Sequence, residues 1–579
     1  MHRSMLVSAA ILMIANMPVG AKTTPPVPAD TVLRHGTILT VDAKDRVVQA
    51  LAIRGGRIVA LGTDEALAGY IGPKTRVINL AGRTATPGMI DAHAHALEAG
   101  INDVANLQLH DTNSIAQFLA QVRARAAQLP KGAWLIGAGW NEATIAEHRP
   151  PSLVQLDEAA GDHPVALTNT TGHYTLYNSA ALRLARIEAG TPDPEAGRIG
   201  RDAAGSLTGV LYENARALIN PLIPAPDAAT KAKGWQHFVD LALSEGLTGV
   251  KDPRTERWQW DTYRLAAEKH PLPLHVCTLV FARDSMTTAR AALEEWRRRK
   301  AEVSANPGRN LDVCGVKIFL DGSAAGRTAW VSQPYVLDAE HTHPDTGIPN
   351  IDPQTYREMV ALFTSQGVPV GTHAIGDRSI ELAADAYAAA LRASPRKGLR
   401  HSIIHSHLVS EHALEVMNDL QKTYDAGYPE AQAEFLWYLG DSLAAVFGPE
   451  RNPHLMPFAT YRRRGLIYSD GSDNFVTPIA PRYGIWASVA RETESKRFGP
   501  HPFGNAEAVD VRTALRSHTI WAARQLFLEK DVGSLEVGKL ADIAVWDRNP
   551  YTVPTAALKD MRCMMTLFGG SVVYQAPSP

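Results

Sequence analysis

His93 and His95 stand one residue apart in "GMIDAHAH", residues 88–95, where an apolar run ends. In a strand, residues i and i+2 project to one face, so the two imidazoles would lie side by side. Neutral imidazoles paired in this way suit a divalent metal ion. A hydrogen-bonded histidine pair without metal satisfies the same spacing, so the motif needs company before it decides anything.

Other apolar runs end in similar residues. "VGTHAIGD" carries His373 and Asp377, "HSIIHSH" carries His401, His405 and His407, and "LIYSDGSD" ends in Asp473. "GVKIFLDGS" sets Lys317 inside an apolar strand, with Asp321 just beyond it. A lysine in that position needs a partner or must lose its charge. Singly, a strand-end histidine reads as hydrogen-bonded structure, and an aspartate beside glycine as a turn former. In chain order on successive strands, the set reads as a metal site.

The elements that must position these groups follow from periodicity. From about residue 87 to 505, strand-like runs such as "WLIGAGW", "PVALTN", "LTGVKD" and "LHVCTLVF" alternate with longer stretches. Several of those are helical in pattern, as at 115–129 and 379–393. Strand alternating with helix implies parallel βα units, and the number of runs suits a (β/α)8 TIM-like barrel with its chemistry at the C-terminal strand ends. Residues 22–86 and the end of the chain, within 506–579, read instead as short strands with glycine turns. The two ends are expected to join in one small β-sandwich, completing an α/β protein.

Bulk properties narrow the partners. The chain has 579 residues, 20% of them charged, a formal net charge of −2 and no basic run. That argues against nucleic acid or an anionic membrane as partner; a homo-oligomer stays open. Residues 1–21 combine a short basic start, an apolar run and a Val19-Gly20-Ala21 ending, which reads as a cleavable export signal. The alternative, an uncleaved anchor, conflicts with the shortness of the run and its breaks at Asn16 and Pro18. A periplasmic or secreted product is expected. The three cysteines, Cys277, Cys314 and Cys563, form no CxxC pair, so neither a disulfide framework nor thiolate metal ligation is expected.

"TPGMIDAHAH", "GVKIFLDGS", "THAIGD", "IIHSH", "SDGSD" and "VGSLEVGKLADIAVWD" occur in an order that resembles the amidohydrolase superfamily, in the family 3 branch that includes N-substituted formamide deformylases. The resemblance covers nearly all of the chain after residue 21. It implies a divalent metal, zinc first, as one ion or two, with His93, His95, Lys317, His373 and His405 as ligands. It further implies that Lys317 matches a lysine that can be carboxylated and bridge two ions, and that Asp473 matches the acid of the eighth strand, expected to be catalytic. Trp140, in "GAGWNE", and His173, in "TGHYTLYNSAAL", match substrate-pocket positions. One departure is Ile404, which stands where the branch has glutamate before His405 and could leave that ring without its orienting partner.

The chemistry expected is hydrolysis of a small-molecule amide at a C–N bond other than a peptide bond. A divalent metal brings the pKa of water from near 16 towards roughly 7 and polarises a carbonyl, and Asp473 would shuttle the proton to the leaving nitrogen. An ester or lactone hydrolase, an isomerase, or an exported binding protein with a degenerate site are the alternatives.

Overall fold

The computed structural model describes residues 26–338 and 342–577; the expected export signal, residues 1–21, lies outside them. Eight parallel strands form the central sheet: β1 (Met89–Asp91), β2 (Leu247–Thr255), β3 (His275–Phe281), β4 (Leu311–Phe319), β5 (Val370–Ala374), β6 (Ser402–His405), β7 (Tyr428–Ala431) and β8 (Ser469–Asp470). Each pairs with its neighbour in chain order, and the Ala92 amide donates to the Asp470 carbonyl at 3.1 Å, drawing β8 back to β1. Gly471 permits that closure: a Cβ there would run into the Asp91 carboxylate and the His93 amide. The fold is a (β/α)8 barrel, and the helices Arg257–Lys269, Met286–Ala305, Pro353–Ser365, Asp377–Ala393 and Glu411–Tyr424 return the chain between successive strands.

The first and last strands of the described residues meet beside it. A four-stranded sheet (Arg57–Gly62, Ala50–Arg54, Thr31–Arg34, Arg76–Asn79) faces a six-stranded sheet in which Ile543–Trp546 pairs with Thr84–Pro87. Leu33, Ile38, Leu51, Ile53, Ile543 and Leu567 fill the space between them.

Two expectations change here. "WLIGAGW" and "PVALTN" are not barrel strands. Leu135–Trp140 and Val165–Asn169 belong to a separate six-stranded mixed sheet, spanning residues 107–213 and inserted between β1 and β2. Its strands are as apolar as those of the barrel because it has a core of its own, with Phe118, Leu135, Trp140, Leu156, Leu167 and Leu176.

The second change is that Cys277 on β3 and Cys314 on β4 are joined as a disulfide, their Cα atoms 5.7 Å apart. Adjacent parallel strands bring together two residues that are 37 apart in sequence. Closing a loop of that length removes enough unfolded-state entropy for about 3–4 kcal/mol. Reduction, or replacement of both cysteines by serine, should lower the unfolding free energy by that amount; urea titrations with and without reductant measure it.

Among the described residues, no helix is long and apolar enough to cross a membrane.

Candidate metal centre and active-site cavity

The C-terminal ends of the barrel strands open into a cavity of about 640 Å³, lined by His93, His95, Lys317, His373, His405 and Asp473. Backbone bonds interlock the segments that carry them. The Asp473 amide donates to the His93 carbonyl, and the His95 amide to the Asn474 carbonyl, both at 2.6 Å. The helix Ala96–Ala105 begins immediately after His95 and crosses Ala228–Ser244 at Gly100 and Gly234, too closely for a methyl group at either. His405 and Asp473 hold left-handed backbone, with φ of 74° and 55°. Non-glycine residues keep such angles only where the surroundings enforce them, and they cluster at functional sites.

His93 Nε2 and His95 Nε2 lie 3.3 and 3.2 Å from Asp473 Oδ1, and that oxygen has no aligned hydrogen bond. The ligand-type atoms of these three residues lie within 4.8 Å of one another. Three lone-pair donors converging on one point, without hydrogen bonds among them, fit a metal ion. Burial alone would raise the Asp473 carboxyl, but the two facing imidazoles hold it well below the usual range. His373 and His405 complete the wall, their ring centres 4.4 Å apart. Burial pushes both well below the usual histidine value, so they stand neutral, as ligation requires.

The groups behind these rings fix their orientation. Glu430 Oε1, on β7, is 2.7 Å from His93 Nδ1, so His93 turns Nε2 to the cavity. Gln432 Oε1 lies 2.6 Å from His405 Nδ1. The concern raised by Ile404 therefore does not hold: Ile404 is buried in the barrel, and Gln432 takes the orienting role. Glu430 also pairs with Lys251 of β2, a second fully enclosed lysine.

Lys317 differs from Lys251 in having no partner. Its side chain is 0% exposed, its Nζ has no hydrogen bond, and it sits 4.6 Å over the Phe319 ring. Burial pulls its pKa down to about 7. Asp321 lies outside the donor set. It accepts from the amides of Trp330, Ile375 and Gly376 and so ties the loop after β4 to the end of β5.

His173 reaches the cavity from the inserted sheet, its Nδ1 2.9 Å from Glu213 Oε2, while Glu213 also accepts from Thr328 at 2.7 Å. Trp140 does not reach it. The indole is fully buried between Phe118 and Tyr174 and donates to the Leu167 carbonyl at 2.8 Å, so it is a core residue of the insert.

Reading the sequence missed Glu430, Gln432, Lys251 and Glu213. The first two carried a signal: in "GYPEAQAEF" an acid and an amide stand two apart in an apolar run, the same spacing as His93 and His95.

The amidohydrolase family model matches residues 76–574. The chain is 28% identical over 555 residues to the putative amidohydrolase YtcJ of Bacillus subtilis, covering 93% of this chain and 98% of that one. It is 28% identical over 557 residues to the N-substituted formamide deformylase of Arthrobacter pascens, covering 94% and 98%. An uncharacterized metal-dependent hydrolase from Pyrococcus horikoshii OT3 superposes with a TM-score of 0.67 at 22% identity, over 91% of this chain and 99% of that one. With the barrel, the donor cluster and a match over most of its length, the chain belongs to the amidohydrolase family, and its site is built for metal-dependent hydrolysis.

Proposed function

We propose that the protein hydrolyses a C–N bond, other than a peptide bond, in a small-molecule amide. His93, His95, His373, His405 and a carboxylated Lys317 would hold the metal, with zinc as the ion the donor set favours. The observation that carries this reading is the convergence of His93, His95 and Asp473 on one point beside an unpartnered, buried lysine. Whole-length similarity to a formamide deformylase supports the amide as substrate.

When bound, the metal lowers the pKa of water and polarises the scissile carbonyl. The remaining steps belong to the chain. Asp473 accepts a proton from the attacking water and returns it to the departing nitrogen. His173, fixed by Glu213, faces the same space from the inserted sheet and contacts the substrate there. Lys317, its pKa brought down to about 7 by burial, offers the Nζ lone pair of its neutral form to CO2, forming an N–C bond as one C=O π pair moves to oxygen and one N–H proton is released. The product is an anionic oxygen donor.

The pattern of residues 1–21 supports export, and so does the Cys277–Cys314 disulfide, which favours an oxidising compartment.

Lys317→Ala should bind less than one tenth of the wild-type metal and lose amide hydrolysis in parallel, with a short carboxylic acid plus metal restoring part of both. Elemental analysis and turnover of N-formyl and N-acyl amines measure the two. Full activity after chelation would overturn the reading.

A further inference from the structure

Arg254 lies at the C-terminal end of β2 and lines the same cavity. Its guanidinium carbon sits 4.8 Å from the centre of the Phe281 ring, and that of Arg283 lies 5.2 Å from the same ring. The two arginines are partnered differently. Arg283 donates to Glu256 Oε1 at 3.0 Å. Arg254 approaches that oxygen only to 3.7 Å and Glu98 Oε2 only to 3.8 Å, both beyond hydrogen-bonding distance. Among the described residues, its guanidinium makes no hydrogen bond, although its side chain is only 31% exposed. A guanidinium held over an aromatic ring keeps its N–H donors directed outward from the ring, in the fork that matches a carboxylate.

A second cation stands beside the same region. Lys231 lies 5.2 Å over Trp258, and it has no ion pair among the described residues. Between Arg254 and the metal centre runs an aromatic strip. Phe281 meets Phe319 edge-on at 5.6 Å, and Phe319 lies 5.0 Å from the His373 ring and 4.6 Å from Lys317 Nζ. The strip is two ring spacings long, roughly 10 Å.

We propose that Arg254 is a specificity-determining residue that binds a carboxylate on the far end of the substrate, with a flat apolar spacer lying along Phe281 and Phe319. The class is therefore an amide whose scissile carbonyl and whose carboxylate are separated by an aromatic or similarly extended unit. A carboxylate adjacent to the scissile nitrogen would not reach Arg254. This inference rests on the amide reading above, and the test has to separate the two.

The test uses metal-loaded enzyme, the matched amides 4-formamidobenzoate and 4-formamidotoluene, and the amines 4-aminobenzoate and 4-toluidine as binding probes. The wild type should prefer the anionic amide. Arg254→Met should raise its KM about 10- to 100-fold, the loss expected for hydrogen bonds to a charged group, with kcat retained. The neutral amide should be unaffected, which also shows that the variant is folded. Arg254→Lys should recover part of the loss. Titration calorimetry should show the same loss of affinity for 4-aminobenzoate and none for 4-toluidine. Equal handling of both amides by wild type and Arg254→Met would overturn the proposal and leave amide hydrolysis standing. If neither amide is cleaved, the amide reading fails and the titrations decide: capture of 4-aminobenzoate that depends on Arg254 supports the carboxylate site, and capture that ignores Arg254, or no capture, overturns it.

Discussion

Glu430→Gln should destabilise the barrel by about 3–5 kcal/mol, the cost of leaving one member of a buried ion pair without its partner. Lys251 would be that member: it is 2% exposed, on β2, against a carboxylate that is 0% exposed, on β7. The glutamine keeps an oxygen for His93 Nδ1, so the imidazole stays in place while the charge disappears. Metal affinity should still fall roughly 10- to 100-fold, as it does when groups that orient metal ligands are altered.

The pH dependence has a definite sign. Burial would raise the Glu430 carboxyl, but Lys251 and His93 outweigh it and bring it from 4.5 to about 2. A carboxylate depressed in the folded state stabilises fully above its unfolded value and loses that contribution as pH falls through its folded value. The gap between wild type and variant should therefore be complete at neutral pH and close below pH 4.5, on the way to pH 2. A Lys251→Met, Glu430→Gln double variant should recover most of the loss, because an apolar side chain needs no counter-charge. Denaturant midpoints across pH measure all three. Equal midpoints for wild type and Glu430→Gln at neutral pH would show that the pair contributes nothing to stability.

The residues of the candidate centre were legible from type and spacing rather than from strand alternation itself. His93 and His95 stand i, i+2 and both reach the cavity, but β1 ends at Asp91 and they lie just past it, while Lys317 stands out because a cation inside an apolar run has to be explained. Glu430 and Gln432 have the same i, i+2 spacing, with β7 ending between them at Ala431, yet they escape notice because a carboxylate and an amide near a proline also describe a turn. What alternation does not encode is which sheet a strand joins. Leu135–Trp140 and Val165–Asn169 resemble barrel strands in composition, and only their long-range pairing with each other and with Tyr174–Tyr177 assigns them to the insert. The same limit misplaced Trp140, whose facing depends on the core of the insert. It also hid the disulfide, since Cys277 and Cys314 meet only once β3 and β4 are in register.

Asp473→Asn should retain metal and lose roughly two or more decades in amide turnover, the range of general acid–base catalysis. Asp470 ends the eighth strand and Asp473 follows three residues later, and the structure gives them different work. Asp470 Oδ1 accepts from the amides of Ala433 and Gly471 at 3.0 Å, while Oδ2 faces His518 at 3.4 Å, outside the cavity lining. That carboxylate fastens β8 to the segment after β7. Asp473 lies in the cavity wall, its Oδ1 3.2–3.3 Å from both His95 and His93, and the backbone bond to the His93 carbonyl holds it there. Asparagine preserves the size and one oxygen donor, so the donor cluster survives, but it cannot carry a proton from water to nitrogen. An amine departs poorly unless protonated, whereas an anilide bearing an electron-withdrawing group departs with less help. The loss should accordingly shrink along a series of amides with increasingly acidic leaving amines, giving a steeper dependence of kcat on leaving-group pKa in Asp473→Asn than in wild type. Metal content measured on the same samples separates lost proton transfer from lost metal. Near-normal hydrolysis of a poorly activated amide by metal-loaded Asp473→Asn would remove Asp473 from the proton path and leave it as a ligand alone.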